Sequence, residues 1–491
     1  MKMLFVVPTL ISETPMTLGM LSAVAKKEGW QTASCINTFK KPLSVQDFVD
    51  AAKDYNADIV AINMLTFSIL FVYDIVKALK KAGFVVMAGG PHPTDCPWEC
   101  IDNGVDIVVV GEGEKQLQEV CRNPQIRGIL NRHEPLDLNI ALPVDLDVFD
   151  KELFIMEDNL IKGFHRLYSS RGCPARCTFC DWQVFKQNLR MYPLENIIND
   201  IKFRKEKYGI TSFAVADDCF PLNKKRVMDF CEMVKPLNIK WRFNSRANLV
   251  TYQMLKAAVD SGCFSVAFGF ESGSPETLKR VRKGVTLQQN IDAAWMAYDA
   301  GLQVYGCMMT GFPWETVKHI RENIEFIKKT WNAVTLYQVS GSLMPFPGTA
   351  IYQEYSKEYG FENYWLRPEY QKLGIQIYQN YANPLSVSTF YQRYLFDDTY
   401  IQEDTFFKYT PEYKKAVKKL VLNIGEHNLE YMLSENGSKR RLYFELAKIS
   451  MFLYNYFPNL EKYIGGKLCK GKSHIELLRD KKRGIKLNAK I

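Results

Sequence analysis

Three cysteines stand within eight residues in Cys173-Pro174-Ala175-Arg176-Cys177-Thr178-Phe179-Cys180, spaced C-x3-C-x2-C. Thiolate is the preferred ligand of iron-sulfur clusters, and this spacing can turn three of them toward one compact soft-metal centre. Zinc asks for four ligands, commonly in two pairs, and neither a cysteine nor a histidine follows Cys180 within 30 residues. A 4Fe-4S cluster held by three cysteines keeps one iron without a protein ligand. That open iron can chelate a substrate or cofactor, so the triplet points to chemistry rather than to electron transfer alone.

With the aromatic Phe179 just before its last cysteine, the triplet resembles the signature of the radical S-adenosylmethionine (SAM) enzymes. The resemblance implies that SAM binds the fourth iron through its amino and carboxylate groups. One-electron reduction, from a donor such as flavodoxin or ferredoxin, would then cleave it to a 5'-deoxyadenosyl radical that abstracts hydrogen.

The elements that must position the triplet are legible around it. His165 to Ser170 reads as a strand leading into the cysteine loop. Further strands are expected at Ser212–Ala216, Ile239–Phe243, Ser265–Phe270, Gln303–Met309 and Ala333–Val339, separated by helical patterns such as Leu194–Tyr208 and Leu287–Ala300. Six βα units suggest a partial barrel, whose active site lies at the carboxyl ends of the strands. Those ends carry Asp217-Asp218, Asn244 with Arg246, Glu271-Ser272, Thr310-Gly311 and Ser340. Phe213 to Phe220, Gly269 to Gly273 and Gly311 to Thr316 resemble strand motifs of the same radical SAM branch, and Met344 to Thr349 resembles its closing Pro-Gly-Thr loop. The resemblance implies that Glu271 and Ser272 face the SAM ribose or methionyl group, Arg246 its carboxylate, and Phe179 and the Gly311 backbone its adenine. Asp217 and Asp218 could instead simply cap the following turn.

Ahead of the barrel, residues 1–125 alternate short apolar runs with helical patterns: strands at Leu4–Val7, Ile59–Met64, Phe84–Ala88 and Ile107–Val110, helices at Leu18–Glu28 and Phe71–Lys81. This rhythm implies a doubly wound parallel sheet, with ligands beyond its strand ends. Pro15 to Gly19, the Thr66 to Ser68 loop, Ala88-Gly-Gly-Pro-His-Pro-Thr94 and Gly111-Glu-Gly-Glu114 together resemble the cobalamin-binding domain that precedes many radical SAM domains. The resemblance makes Thr66, Ser68, Gly89, Gly90, His92 and Glu112 the expected cobalamin contacts, with His92 at the corrin rim. No Asp-x-His, the source of the cobalt-ligating histidine in mutases and methionine synthase, occurs in the chain. Either cobalamin binds without a histidine ligand, as in many class B radical SAM methylases, or the domain has lost it.

Residues 126–164 have poor periodicity and read as a linker, 165–350 as the barrel, and 351–491 as a mainly helical, aromatic-rich C-terminal domain. With 47% hydrophobic and 24% charged residues the chain is that of a globular protein. Its apolar N-terminal run is too short for a signal peptide, and Ile59 to Tyr73 too short for a membrane span, so a cytoplasmic protein with reduced thiols is expected. Of the net charge of +9, residues 461–491 supply +7 through ten Lys or Arg against three Asp or Glu, which argues against nucleic acid as a partner of the body. This tail, with the apolar stripe Leu442, Phe444, Leu446, Ile449, Phe452, Leu453 and Tyr456, could rest on an anionic membrane or dock on the enzyme itself. The remaining histidines, His133, His165, His319, His427 and His474, lack ligand spacing.

The combined expectation is a cobalamin-dependent radical SAM methyltransferase acting on an unactivated carbon or phosphorus centre of a small or lipid-like metabolite. The alternatives are a radical SAM oxidative cyclase of the magnesium-protoporphyrin kind, a rearrangement enzyme, and a noncatalytic cobalamin-binding or redox-sensing protein.

Overall fold

The computed structural model describes residues 1–11, 14–38, 41–131, 135–150, 165–185, 188–220, 222–368, 370 and 406–434. His133, His474, the apolar stripe and the basic tail lie outside them. Among the described residues no helix is long and apolar enough to cross a membrane.

The N-terminal part runs β1 (Lys2–Ile11), α1 (Met16–Lys27), β2 (Gln31–Thr38), α2 (Val45–Tyr55), β3 (Ile59–Asn63), α3 (Ile69–Lys81), β4 (Val85–Gly89), α4 (Pro91–Asp95), α5 (Pro97–Asp102), β5 (Ile107–Val110), α6 (Glu114–Arg122) and β6 (Gly128–Asn131). The strands form one parallel sheet in the order β2-β1-β3-β4-β5-β6. Both faces are covered, which is why β1, β3 and β5 read as near-continuous apolar runs. Side chains alternate between the two faces with period two. Met3, Phe5 and Val7 join the core with Leu18 and Val24 of α1 and Leu117 and Val120 of α6. Leu4 and Val6 join Phe48 of α2 and Val72, Ile75 and Val76 of α3. The strand order reverses direction between β1 and β3, so the loops after them diverge and leave a crevice at the carboxyl edge.

Several elements here go beyond the sequence expectation: β2, α2, α4, α5 and α6. β2 is a half-exposed edge strand, and Gln31-Thr-Ala-Ser-Cys-Ile-Asn-Thr38 contains no apolar run. α2 buries only Phe48, Val49 and Ala52, but a capping box between Ser44 and Asp47 fixes its start. The expected linker is also more structured than its periodicity implies. It contributes β6 to the sheet edge, and residues 138–149 then bury Leu138, Val144, Leu146, Val148 and Phe149. A side chain at Gly19 would meet Val144 Cγ1 at 2.6 Å, so the glycine is what admits this segment against α1. Ser34 Oγ donates to Val148 O at 2.7 Å.

The second part comprises β7 (His165–Leu167), β8 (Ser170–Arg171), β9 (Arg190–Met191), α7 (Leu194–Tyr208), β10 (Ser212–Val215), α8 (Lys224–Val234), β11 (Lys240–Ser245), α9 (Tyr252–Asp260), β12 (Cys263–Glu271), α10 (Pro275–Arg280), α11 (Leu287–Asp299), β13 (Gln303–Thr310), α12 (Val317–Lys329) and β14 (Leu336–Ser342). Six parallel strands follow in the sequential order β7-β10-β11-β12-β13-β14, the open arc of a partial barrel. Phe220, Phe230, Trp241 and Phe243 pack in edge-to-face and tilted pairs, with ring centroids 5.2–5.9 Å apart. The edge strand β14 is closed by α14 (Pro411–Ser434), after the short α13 (Ala350–Tyr355). Asn428 of α14 accepts from Tyr337 N at 2.8 Å and donates to Tyr337 O at 2.7 Å, occupying edge groups that would otherwise invite another strand.

The two sheets are joined by a buried charge quartet. Arg171 of β8 donates to Glu112 at 2.8 Å and to Glu114 at 2.6 Å, and its Nε donates to Tyr192 Oη at 2.9 Å. Arg190 of β9 pairs with the same Glu112 and donates to Leu136 O at 2.7 Å. Burial works against the Arg171 charge, and the Glu114 and Glu112 carboxylates more than offset it, so the guanidinium stays ionised. Removing one partner of such a pair leaves an uncompensated buried charge. Glu112→Ala is therefore expected to destabilise the docked domains by about 3–5 kcal/mol, read as a lower denaturation midpoint; an unchanged midpoint would show that the arginines are satisfied without it.

Candidate active site

The cysteine loop springs from the β8–β9 hairpin, directly above this quartet. Its neck is closed by Gly172, at φ +83°, where a Cβ would meet Asn188 O at 2.5 Å. The segment entering the loop is pinned by the aspartates at the end of β10. Asp217, almost fully buried, accepts from Ser169 N at 2.6 Å, Ser169 Oγ at 2.5 Å and Ser170 Oγ at 2.7 Å. Asp218 accepts from the Gly172 backbone. The aspartates thus hold the strand end and loop neck upstream in the chain rather than capping the turn that follows them.

Cys177 is buried, Cys173 half-buried and Cys180 exposed. The Cys180 thiol donates to Cys177, which draws the Cys177 pKa down to about 6 against the effect of burial, with Lys283 and Arg246 adding to the fall. The same bond pushes Cys180 up. Arg246, which follows β11, places Nη1 3.4 Å from Cys177 Sγ. Lys283 is buried, donates to Glu271 Oε1 at 2.7 Å, and lies 6.0 Å from the centre of the Phe179 ring. Three soft ligands flanked by two cations are what an anionic, thiolate-ligated cluster requires, so the donor set fits the implied group.

Glu271 ends β12 in the left-handed region at φ +60°, an unusual backbone for a side chain with a Cβ, just where the register with β13 shifts. The bulge turns its carboxylate toward Lys283. A side chain at Gly269 would meet Glu271 Oε1 at 2.5 Å and Lys283 Nζ at 2.9 Å, so the glycine leaves the space that this ion pair fills. Ser272 points elsewhere. It is fully buried, donates to Asn323 Oδ1 at 2.8 Å, and accepts from Ser274 N at 3.1 Å. The expected SAM contact at Ser272 is thus an internal tie between β12 and α12. Phe179 packs near Phe312, with centroids 6.3 Å apart, and Phe312 stacks on Trp314 at 5.2 Å. Gly311, at φ +85°, already donates its N–H to Glu315 Oε2 at 2.7 Å and to Tyr413 Oη at 3.1 Å. Its backbone nitrogen is therefore taken.

At the carboxyl edge of the first sheet, several expected cobalamin contacts are turned inward. Ser68 Oγ lies 2.8 Å from Thr9 Oγ1, and Thr66 Oγ1 is 3.2 Å from His92 Nδ1. His92 is completely buried, with Nε2 3.1 Å from Glu99 and 3.2 Å from Tyr73 Oη, so it is not at an open rim as expected. The α4 turn after Gly90 folds it beneath the loop. Glu112 faces Arg171 and Arg190 rather than an open edge, because both barrel arginines need a carboxylate. Gly90, at φ +113°, is needed by the chain itself, since a Cβ would lie 3.1 Å from Met64 O. Gly89 remains open, with Val109 at 3.8 Å as the nearest contact of an added Cβ. That accessible backbone beside the crevice fits approach by a large flat cofactor.

Lys283, Glu315 and Tyr413 were not singled out from the sequence. Lys283 stands in Arg280-Val-Arg-Lys-Gly284, which reads as a solvated basic helix end. Glu315 lies inside a quoted motif but its burial is invisible in one dimension; desolvation pushes it up to about 7. Tyr413 is 98 residues from the carboxylate it donates to at 2.7 Å. His319, capping with Thr316 and 3.0 Å from Glu276, and His427, between Trp331 and Tyr337, are buried packing residues as expected.

A doubly wound sheet whose carboxyl edge meets a partial barrel bearing a cysteine triplet brings two candidate cofactor sites together. Residues 11–121 match the B12 binding domain family and residues 167–327 the Radical SAM superfamily. An uncharacterized methyltransferase of Pyrococcus horikoshii is 32% identical over 368 residues, covering 69% of this chain and 78% of that one. The anaerobic magnesium-protoporphyrin IX monomethyl ester cyclase of Cereibacter sphaeroides is 23% identical over 383 residues, 69% of this chain and 60% of that one. The structure of the cobalamin-dependent SAM radical enzyme OxsB, with aqua-cobalamin and SAM bound, superposes with a TM-score of 0.62 at 16% identity, covering 100% of this chain and 82% of that one. The chain belongs to the cobalamin-dependent radical SAM enzymes of methyltransferase type. Its cofactors are a 4Fe-4S cluster, SAM and cobalamin.

With His92 held inside the first domain, no histidine among the described residues is presented at the strand ends as a lower ligand. The cob(II)alamin-loaded protein is expected to give a base-off electron paramagnetic resonance spectrum without nitrogen superhyperfine splitting. Splitting that disappears in His92→Ala would show instead that the imidazole leaves its buried place to reach cobalt.

Proposed function

We propose that the protein methylates an unactivated carbon or phosphorus centre of a small or lipid-like metabolite. Polar transfer from SAM alone serves a nucleophilic acceptor such as an amine or hydroxyl. An enzyme that keeps two further cofactors has use for them only where the acceptor lacks such a lone pair. When bound, the cluster and SAM supply hydrogen abstraction, and cobalamin supplies the methyl group.

The observation that carries the reading is the convergence of Arg246 and Lys283 on Cys177, at the mouth of the barrel that faces the first domain. In this reading Cys173, Cys177 and Cys180 hold the cluster. Lys283 and Arg246 neutralise the thiolates, and Glu271 orients Lys283 while offering its second oxygen to SAM. Phe179 and Phe312 wall the adenine side beside the backbone near Gly311. Gly89 and Gly90, with the Thr66 to Ser68 loop behind them, give the corrin its floor. The division of labour follows the chain: residues 1–125 for cobalamin, 126–164 as the connection, residues 165–350 for SAM, and the segment from 351 for substrate selectivity. A one-electron donor such as flavodoxin or ferredoxin would reduce the cluster in the cytoplasm, where free thiols persist.

A second reading, oxidative cyclisation without methyl transfer, is favoured by the similarity to the magnesium-protoporphyrin cyclase. Product analysis separates the two. Methyl transfer is expected to yield S-adenosylhomocysteine together with 5'-deoxyadenosine, whereas 5'-deoxyadenosine alone supports cyclisation. Replacing all three cysteines with alanine should abolish both the visible absorption of the reconstituted cluster and SAM cleavage. A triple variant that still cleaved SAM would overturn the assignment of the loop.

A further inference from the structure

Away from the cysteine loop, one other set of metal-ligating side chains comes together among the described residues. His92 on α4, and Cys96 and Glu99 at the start of α5, follow the spacing H-x3-C-x2-E, and their ligating atoms lie within 4.8 Å of one another. His92 Nε2 and Glu99 Oε1 are 3.1 Å apart. Two ligands bonded at ~2.0 Å in a tetrahedron stand ~3.3 Å apart, so this pair already has the spacing of ligands to one ion.

The groups behind these ligands are also in place. Thr66 Oγ1, 3.2 Å from Nδ1, fixes the imidazole with Nε2 toward Glu99. The second Glu99 oxygen accepts from Trp365 Nε1 at 2.9 Å. A histidine anchored through its other nitrogen and a carboxylate anchored through its other oxygen are the usual supports of a metal site. Tyr73 Oη, 2.7 Å from Glu99 Oε1, closes the group from the α3 side. Access is provided by a cavity of about 380 Å³ that Cys96 and Glu99 share with Tyr352, Pro347 and Trp365.

We propose that His92, Cys96 and Glu99 bind one divalent ion of the zinc class. Nitrogen, sulfur and oxygen donors in one set suit zinc and exclude the all-oxygen preference of calcium and magnesium. Neutral imidazole, thiolate and carboxylate carry two negative charges, so a divalent ion makes the group electrically neutral, which matters where the histidine is wholly buried. Binding replaces the His92–Glu99 hydrogen bond with two metal bonds: the imidazole proton moves from Nε2 to Nδ1, where Thr66 Oγ1 accepts it, and the Cys96 thiol proton leaves through the cavity to water. Three protein ligands leave a position on the cavity side for water or an oxygen donor. The site is independent of the radical chemistry and stands or falls without it.

The test is metal analysis of the full chain with its cluster reconstituted. About one zinc per chain is expected beside the cluster iron, retained on gel filtration. Cys96→Ser and His92→Gln are each expected to lower it to about a tenth or less, as loss of a ligand should. The Cys173→Ala, Cys177→Ala, Cys180→Ala chain must keep its zinc, which separates this site from zinc caught by empty cluster cysteines. Cobalt(II) added to the metal-stripped chain gives an independent signal: tetrahedral visible bands with a thiolate charge-transfer band that Cys96→Ser removes. Zinc content indifferent to Cys96→Ser, or wild-type chain that shows neither zinc nor the cobalt bands, would overturn the proposal.

Discussion

Anionic sulfur in a protein interior needs positive charge within a few ångströms, because an uncompensated buried charge costs several kcal/mol. Cys177 meets that demand with Arg246 at 3.4 Å and with Lys283, and much of the barrel is arranged to deliver these two cations. Arg246 arrives from the end of β11 and Lys283 from beyond α10, so their meeting requires the parallel register of β10, β11 and β12. Lys283 is itself buried and requires Glu271. Glu271 reaches it only from a left-handed backbone at a bulge, and Gly269 keeps the intervening space free. Each step in this chain answers a charge left by the one before.

The same logic governs the junction with the first domain. Arg171 and Arg190 flank the cysteine loop in sequence, yet their carboxylates come from the Gly111 to Glu114 turn of the other sheet. The quartet is neutral as a whole, so it can be buried. Neither half is neutral alone, so separating the domains exposes or strands two charges on each side. Loop position and domain docking are therefore one problem for this chain.

Elements with strong local signals were legible in the sequence. The barrel strands are legible to within a few residues because buried residues recur along them with period two, as Trp241, Phe243 and Ser245 do in β11. β2 and α2 escaped because an edge strand and a surface helix bury one side weakly. Among the site residues, the cysteine triplet stood out through spacing, which is a local property. Ser272, His92 and Glu112 were placed on the correct loops but facing the wrong way, since a strand end fixes where a residue lies and not which neighbour it answers. Asn323, Thr66 and Arg171 decide those orientations from 51, 26 and 59 residues away, respectively.

The segment beyond the barrel shows the same limit most clearly. Its tyrosines, tryptophan and phenylalanines read as generic core, and Phe361, Tyr364, Trp365, Phe406 and Phe407 do pack as core, but against α3 and the strand ends of the first domain. Two of its contacts fall on groups that matter to both halves: Trp365 on Glu99 and Tyr413 on Glu315. Glu315 in turn holds Gly311 and Phe312, the residues that wall the adenine side of the site. Burial alone would push this carboxyl toward its neutral form, which could no longer accept all three donors at full strength. The Tyr413 hydroxyl and the two backbone N–H groups oppose that push. The C-terminal helix therefore does more than cover the edge of β14. By supplying one of the donors that keep Glu315 an acceptor, it holds the loop after β13 in shape, and so connects the last described element of the chain to the mouth of the barrel.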